Sequence, residues 1–197
     1  MQQQMPRIKQ FNEEAVLAKA MELFWKQGFN GTSMQELVEH LGINRASLYS
    51  TFGDKKALFD KAFAQYRANS AATINQCFEN GNTLREKLLN MYTMVIDGAI
   101  GNGEAKGCFV VNATGELTPD NACMRNRLAE NKKGFEDQFM QLLKEAVARG
   151  ELSPQKDLNG LVAMLIAIHN GLPMIAKVDP NREKLLSGVH AALSILE

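Results

Sequence analysis

The amino-acid sequence predicts an all-α protein with about nine helices, and three observations support this fold class. Apolar residues recur at intervals of three and four along most of the chain, which is the spacing of one face of a helix. Residues that cap helix N-termini precede these stretches, and glycines or prolines follow them. Almost no segment alternates apolar and polar residues as a strand would. We therefore expect helices to account for nearly all of the regular structure.

The composition narrows the class of protein. The 197 residues include 22 basic and 22 acidic side chains, and 45% of the residues are hydrophobic, as in a soluble globular protein of one or two modest domains. The longest apolar run, residues 161–168, is far shorter than the roughly 18 residues of a membrane span. No basic-then-apolar leader opens the sequence. We expect a cytoplasmic protein that contacts no membrane.

The cysteines and the net charge exclude further classes. Cys77, Cys108 and Cys123 are too few and too scattered for a disulfide framework or a zinc site. We therefore expect free thiols, no metal and no cofactor. A net charge of zero argues weakly against general binding to nucleic acids, so such a function would have to depend on a local motif.

Three short helices are predicted in the first part of the chain, over residues 12–28, 33–42 and 44–53. Ser33 and Glu36 have the spacing of a capping box, in which each side chain accepts a hydrogen bond from the backbone of the other residue. Glycine ends each of the three helices, because it can adopt the positive φ that closes a last turn. The short connections favour a compact three-helix domain.

Longer helices follow, separated by breaks that contain glycine or proline. Each carries apolar residues along one face. They are predicted over residues 55–76, 83–100, 108–117, 119–148, 155–177 and 183–196. We expect a kink at Pro173, because proline removes one helical hydrogen bond and displaces the carbonyl of His169.

Residues 32–52 predict a helix, a tight turn at Gly42 and a second helix. In the second helix Leu48 and Phe52 are four residues apart and share the inward face. The opposite face carries small or hydroxylated side chains, with two longer ones at its edges: Ala46, Ser47 and Ser50, then Arg45 and Tyr49. A helix that lies on the floor of the DNA major groove needs such a face.

The local charge leaves more than one interpretation open. Between Arg45 and Lys61 there are four basic residues and two acidic ones, a net charge of +2. That charge suits contacts with phosphates. An ordinary helical hairpin with solvated lysines has the same pattern. From the pattern alone, a DNA-binding protein and a helical adaptor that binds no DNA both remain possible.

The stretch from Ala18 to Tyr66 resembles the DNA-binding domain of TetR/AcrR-type transcriptional repressors. The resemblance rests on Gly-Phe-Asn-Gly-Thr-Ser at residues 28–33 and on Leu-Tyr-Ser-Thr-Phe-Gly-Asp-Lys at residues 48–55. Asn44 replaces the usual serine or threonine and caps a helix equally well. The resemblance implies a repressor that binds double-stranded operator DNA and that a small molecule releases.

The same resemblance implies two domains and a set of DNA contacts. A helix-turn-helix domain would occupy residues 1–53, and a regulatory domain that binds ligand and dimerises would occupy residues 54–197. Thr32, Tyr49 and Lys55 would contact phosphates. The residues implied to face the bases are Arg45, Ala46, Ser47 and Ser50. Because Arg45 is the only long side chain of that group, we expect it to bind guanine through two hydrogen bonds.

A single recognition helix reads only a few base pairs, so we expect a homodimer with its two recognition helices roughly 34–36 Å apart. Residues 161–168 are apolar on all sides and the last helix has an apolar stripe, which favours an interface of these helices as in the family. The expected interface residues are Leu161, Leu165, Ile168, Leu185, Val189 and Leu193. The alternative is that these helices are internal to one subunit.

The regulatory domain is implied to hold an effector that the sequence does not identify, and its side chains favour an apolar or aromatic molecule. The candidate pocket residues are Tyr66, Tyr92, Cys108, Asn112, Phe139 and His169. Aromatic side chains at helical spacing also form ordinary cores, so packing is the alternative role for them.

Cys108 supports a second hypothesis about sensing. It follows Lys106 and Gly107 at the start of a predicted helix, where the helix dipole and a nearby cation would favour the thiolate. A repressor that senses electrophiles or oxidants through Cys108 is therefore an alternative. A hydrolase based on Cys108 and His169 is a remote alternative, because no third group that would orient the pair is recognisable. We therefore assign no catalytic residue.

Overall fold

A computed structural model describes residues 11–101, 104, 106–117 and 122–197, without the side chains of residues 122–124. Within these residues the chain forms nine α-helices, a final 3-10 turn and no strand, which confirms the all-α fold class. Pro119, the expected start of one helix, lies outside the described residues. The helices are α1 Glu13–Gln27, α2 Met34–Leu41, α3 Arg45–Phe52, α4 Lys55–Glu79, α5 Leu84–Ile100, α6 Phe109–Leu117, α7 Ala122–Ala148, α8 Leu158–Val178 and α9 Arg182–Leu193.

Short polar side chains define the beginnings of α2 and α3. Ser33 Oγ accepts a hydrogen bond from the backbone N–H of Glu36 at 3.2 Å, and Glu36 Oε2 accepts one from the backbone N–H of Ser33 at 2.8 Å, so the predicted capping box is confirmed. Asn44 Oδ1 accepts from the N–H of Ser47 at 2.8 Å. Between the two helices Gly42 has a φ of 67°, which favours glycine. The tight turn is formed as expected.

The chain forms two compact units, Met1–Tyr66 and Arg67–Glu197, and the division falls within α4. The expected domain boundary lies at the start of the same helix. In the first unit the ring of Phe59 lies at the centre of the core, with its centroid 5.2 Å from that of Phe24 and 5.1 Å from that of Phe29. The first turns of α4 therefore complete the core that α1, α2 and α3 begin.

The core of the second unit is formed mainly by α5, α7, α8 and α9. Tyr92 on α5 is fully buried, and its hydroxyl donates to the carbonyl of Leu165 on α8 at 2.8 Å. Burial raises the pKa of Tyr92, so the hydroxyl keeps its proton and remains a donor. Glu151, which follows α7, accepts a hydrogen bond from the N–H of Leu84, the first residue of α5. Both bonds join segments that are distant in sequence.

Most residues expected at the dimer interface are buried inside their own chain. The apolar side chains of α9 pack against α5, and α8 packs against α5 and α7, so these residues are already covered. Those buried in this way are Leu161, Leu165, Leu185, Val189 and Leu193, each with 6% or less of its surface exposed. Ile168 is half-buried against the same core. Five of the six are therefore covered within their own chain, as the internal alternative describes, and Ile168 keeps part of its surface open.

The outer face of α8 differs from its buried face. Met174 is 52% exposed and Val178 is 88% exposed, although both are apolar. By length and composition alone α8 could cross a membrane, but a helix of a protein core passes the same test, and α8 packs one face into the core. Pro173 lies inside α8, and the helix continues unbroken on both sides of it. The exposed apolar residues therefore belong to a helix anchored on one side only.

Candidate nucleic-acid interface

Helix α3 has one face in the core and the other in solvent. Leu48 is fully buried and Phe52 is 4% exposed, so the inward face is as predicted. The outer face carries exposed Arg45, Ala46 and Ser50 and half-buried Ser47. Because these side chains are short apart from Arg45, the backbone of α3 can approach a flat surface closely. That geometry suits the edges of base pairs in a major groove.

Arg45 and Tyr49 lie one helical turn apart on this outer face. The guanidinium carbon of Arg45 is 5.9 Å from the centre of the Tyr49 ring, and Tyr49 is 44% exposed. In the described part of the chain no carboxylate pairs with Arg45. The guanidinium is therefore oriented by the ring and still has its donors available for a base or a phosphate.

Lys55, in the first turn of α4, is held by the segment between α1 and α2. Its Nζ donates to the carbonyl of Thr32 at 2.7 Å and lies 4.3 Å from the centre of the Phe29 ring. An ammonium group has three N–H donors, so two remain for other acceptors. The charge is thus fixed in position at the beginning of α4, within the first compact unit.

Thr32 occupies a different place from the one expected. Its side chain is 1% exposed, and its hydroxyl donates to the carbonyl of Gly28 at 2.6 Å. The hydroxyl is therefore both covered and occupied, and Thr32 supports Lys55 through its backbone carbonyl. Of the three residues expected at phosphates, only Tyr49 and Lys55 have accessible side chains.

Two further residues of this region were not among the predicted contacts. Gly31 lies so close to α1 that a Cβ atom would be 2.5 Å from the carbonyl oxygen of Gln27, which only a glycine permits. Lys61 is exposed, donates to the carbonyl of Thr51 at 3.3 Å and lies 5.4 Å from the centre of the Phe52 ring. The positive charge of Lys61 could be noticed in the sequence. Its attachment to the end of α3 could not, because it is a tertiary contact.

In the second unit a cavity of about 350 Å³ lies between α6, α7 and α8. Its volume is at the lower end of the roughly 300–1,000 Å³ typical of small-molecule sites. The wall combines aliphatic and aromatic side chains with five polar ones, Thr114, Asn131, Lys132, His169 and Asn170. Residues that form it include Val110, Val111, Leu128, Phe135, Ile166 and His169. Of the six residues expected at a pocket, His169 alone is among those that line this cavity.

His169 is the most unusual polar residue of the cavity. Its Nδ1 atom is sealed from solvent and has no hydrogen-bond partner among the residues that the structure describes. The imidazole ring instead lies against Phe135, with the two ring centres 4.8 Å apart. Burial lowers the pKa of His169 to about 4, because a charged imidazole would lose its hydration. The ring is therefore uncharged at neutral pH.

The aromatic residues expected at a pocket have packing roles. Tyr92 and Phe139 are 0% and 1% exposed and belong to the core of the second unit. Tyr66 belongs to the first unit, where its ring centre is 5.0 Å from that of Trp25. Among the described residues there is also no group of three or more His, Cys, Asp or Glu side chains that could hold a metal ion.

Cys108 and Asn112 lie at the beginning of α6. Cys108 is half-buried, and its carbonyl accepts from the N–H of Asn112 at 2.9 Å. The Asn112 side chain donates to the carbonyl of Lys106 at 3.0 Å and accepts from Lys177 Nζ at 3.3 Å. The Lys106 ammonium lies 3.3 Å from a carboxylate oxygen of Glu104. Asn112 thus joins the start of α6 to the end of α8.

Comparisons with known proteins agree with this architecture. A family model described as bacterial regulatory proteins, tetR family, matches residues 16–62, and one described as the tetracyclin repressor-like C-terminal domain matches residues 85–191. The uncharacterized HTH-type transcriptional regulator YezE of Bacillus subtilis (strain 168) is 31% identical over 98% of this chain and 100% of its own length. The HTH-type transcriptional repressor ComR of Escherichia coli (strain K12) is 31% identical over 91% of this chain and 86% of its own.

A solved structure extends the comparison to a complex with DNA. A cysteine mutant of the TetR family transcriptional regulator CifR, complexed with 26 bp double-strand operator DNA, superposes with a TM-score of 0.88. Its sequence is 27% identical, and the match covers 97% of this chain and 100% of that one. The similarity therefore includes both compact units.

Proposed function

Since the chain belongs to the TetR family of bacterial regulatory proteins, we infer that it is a DNA-binding transcriptional regulator, and we propose that it acts as a repressor released by a small molecule. Among its relatives, ComR is named a repressor, and CifR was solved with operator DNA. Such a protein would act in the cytoplasm, where bacterial DNA lies, and would catalyse no reaction.

The observation that carries this proposal is the exposed outer face of α3. Its small side chains, Ala46, Ser47 and Ser50, permit the helix to enter a major groove, and Arg45 can reach the base edges beyond them. We assign Arg45 to a guanine, through two hydrogen bonds. We assign Tyr49 to a phosphate, because its hydroxyl lies at the rim of the same face.

Lys55 is assigned to a second phosphate. Its ammonium is held by the Thr32 carbonyl, so little side-chain entropy remains to be lost on binding DNA. The position of Lys55 has a small electrostatic cost, because a lysine in the first turn of a helix opposes the helix dipole. A phosphate at this site would offset that cost. Thr32 then acts indirectly, by positioning the ammonium group.

We propose a homodimer whose interface includes the outer face of α8. Ala163, Ala167, Met174 and Val178 are exposed and follow one another at helical spacing, so they form one stripe. The two alanines permit close approach of a second helix, and the two larger side chains would lose exposed apolar surface. Ile195, near the end of the chain, is also 50% exposed and is a further candidate. A two-fold axis would pair two α3 helices roughly 34–36 Å apart.

Release from DNA would follow from reciprocal coupling. An effector that binds more tightly to a dimer with a different spacing of the recognition helices must weaken DNA affinity by the same factor. The cavity between α6, α7 and α8 is our candidate for the effector site. Its aliphatic wall favours an apolar or aromatic molecule.

The DNA-binding proposal is tested by selection from random duplexes, followed by measurement of affinity over a range of salt concentrations. We expect a near-palindromic consensus and a linear fall of log affinity with log salt, because lysine and arginine displace counterions from phosphates. Arg45→Ala and an exposed arginine of the second unit, Arg125→Ala, form a matched pair. Enrichment of no sequence, or equal losses for the two variants, would contradict the proposal.

A second candidate function is the sensing of electrophiles through Cys108. The observation that favours it is the half-buried thiol at the first turn of α6. Treatment with N-ethylmaleimide should then release DNA from the wild type and from Cys77→Ser, but not from Cys108→Ser. Release from all three proteins, or from none, would rule out Cys108 as the sensor.

A further inference from the structure

We propose that the cavity between α6, α7 and α8 binds an uncharged, mostly apolar molecule that carries a hydroxyl group, and that this hydroxyl forms a hydrogen bond with the imidazole of His169. The inference rests on the proposed function, because it names the chemical class of the effector.

The cavity wall determines the apolar character of the ligand. Val110 and Val111 on α6, Leu128 and Phe135 on α7, and Ile166 on α8 present side chains without hydrogen-bonding groups. A molecule that fills this space gains by leaving water, in proportion to the apolar area that it buries. A polar group of the ligand that faces these five side chains would lose water without gaining a partner.

The single hydroxyl is inferred from His169. Within the described residues no hydrogen bond is made by its side chain, and Phe135 alone contacts it as a ring. A neutral imidazole has one N–H donor and one acceptor nitrogen. A hydroxyl can donate or accept, so it suits a neutral imidazole in either tautomer. The lowered pKa of His169 keeps the ring neutral, so no anion is attracted to it.

The rim of the cavity argues against a charged ligand. Lys132 is part of the lining, but its ammonium pairs with the carboxylate of Glu136 one turn later on α7. Asn131, which also lines the cavity, already accepts a hydrogen bond from Arg67 at 2.8 Å. The charge of Lys132 is therefore partly offset by Glu136 at an exposed part of the rim, so the cavity offers an anion little unpaired positive charge.

The position of His169 links the cavity to the proposed dimer interface. Pro173 has no N–H, so the His169 carbonyl has no helical partner four residues later. The exposed interface residues Met174 and Val178 follow within about one turn of that proline. A ligand that contacts His169 therefore acts at a turn of α8 that lacks one helical hydrogen bond. A small change of direction there would move the interface residues that follow.

The test uses three probes with the same ring system and different polar groups: naphthalene, 2-naphthol and 2-naphthoate. Binding to the full-length protein is measured by equilibrium dialysis. The variants are His169→Phe, which keeps a ring without hydrogen bonding, and His169→Gln, which keeps hydrogen bonding without a ring. His40→Phe, an exposed histidine of the first unit, is the matched control. Val111→Phe fills the cavity.

In the wild type we expect 2-naphthol to bind about tenfold more tightly than naphthalene, which is the factor that one hydrogen bond supplies in an apolar site. We expect 2-naphthoate to bind most weakly. His169→Phe should bind both neutral probes equally, His169→Gln should retain part of the preference, and His40→Phe should match the wild type. Val111→Phe should bind neither neutral probe. Circular dichroism confirms that each variant is folded.

Several results would overturn the inference. They are equal affinities of the wild type for naphthalene and 2-naphthol, a preference for 2-naphthoate, absence of saturable binding, or an unchanged preference in folded His169→Phe. Affinity for the selected duplex is measured on the same samples without probe. If wild-type DNA binding persists while the probe preference is absent, the inference fails and the DNA-binding proposal stands. If DNA binding itself is absent, the proposed function fails.

Discussion

Lys55 Nζ donates a hydrogen bond to the backbone carbonyl of Thr32 at 2.7 Å, so the first turn of α4 is attached to the segment that precedes α2. The two residues are 23 positions apart in sequence. Because the carbonyl belongs to the backbone, no substitution of the Thr32 side chain removes this acceptor. The contact fixes a positive charge next to the helix-turn-helix.

Replacing Lys55 by alanine should weaken binding to all duplexes alike. A phosphate contact carries no sequence information, so the selected consensus should be unchanged, and the salt dependence should become shallower by about one unit of slope. Fluorescence anisotropy on specific and random duplexes measures both effects. Lys144→Ala, an exposed lysine of α7, is the control and should behave as the wild type. A loss confined to the specific duplex would contradict the assignment.

Replacing Arg45 by alanine should relax base preference at one position in each half-site. The loss of a bidentate contact with guanine is worth about 1–3 kcal/mol of discrimination. Arg45→Lys keeps the charge but lacks the planar fork, so it should recover general affinity without recovering the preference. Repeated selection from random duplexes with each variant makes the measurement. An unchanged consensus for Arg45→Ala would remove this residue from base recognition.

Replacing Val178 by aspartate should dissociate the dimer if the outer face of α8 forms the interface. Val178 is 88% exposed in the single chain, so the change should leave the fold intact, while burial of an unpaired charge would oppose association. Sedimentation velocity reports the oligomeric state, and affinity for the two-half-site duplex should fall with it. Ala71→Asp, an exposed position on α4, is the matched control. Dimers of undiminished stability would place the interface elsewhere.

Stability should decrease as the pH falls from about 6.5 to about 4, because of His169. The unfolded chain binds a proton to this imidazole below its ordinary pKa of 6.5, whereas burial lowers the pKa in the folded state to about 4. The unfolded state is therefore favoured progressively across that window, by about 3 kcal/mol at most. Urea unfolding at several pH values measures the effect.

His169→Phe is the control for this pH dependence, because phenylalanine does not titrate. Its free energy of unfolding should change less between pH 6.5 and 4 than that of the wild type. Glu151 contributes in a different window, since the hydrogen bond from Leu84 lowers the pKa of its carboxyl and that stabilisation is lost as the pH falls below about 4.5. Parallel curves for the two proteins above that pH would show that His169 is not the titrating group.

Replacing Gly31 by alanine should destabilise the first unit. The new Cβ would lie 2.5 Å from the carbonyl oxygen of Gln27, so the backbone between α1 and α2 would have to move. We expect a loss of about 1–3 kcal/mol, together with weaker DNA binding because the same segment holds Lys55. Gly98→Ala in α5 is the control. Its Cβ meets nothing within 4 Å, and alanine should stabilise that helix by about 0.5–1 kcal/mol.

Part of the site could be predicted from local sequence. The inward and outward faces of α3 follow from the position of Leu48 and Phe52 one turn apart, and the capping box at Ser33 follows from its spacing to Glu36. The cavity could not be predicted in this way. Val111, Phe135 and His169 come from three helices, and their proximity depends on how those helices pack. For the same reason the sequence could not show whether Tyr92 and Phe139 line a pocket or pack in the core.

The sequence by itself determined which segments form helices and which face of α3 meets solvent, because both depend on the spacing of residues within one element. Helix ends were less certain: the start of α8 and the end of α9 each differ by three residues from the predicted positions, 155 and 196. Tertiary structure alone decided which apolar stripe stays inside its own chain. Leu185 and Val189 pack on α5, whereas Met174 and Val178 stay exposed. Periodicity shows that a helix has an apolar face, but the neighbour that covers that face is set by contacts between segments far apart in the chain.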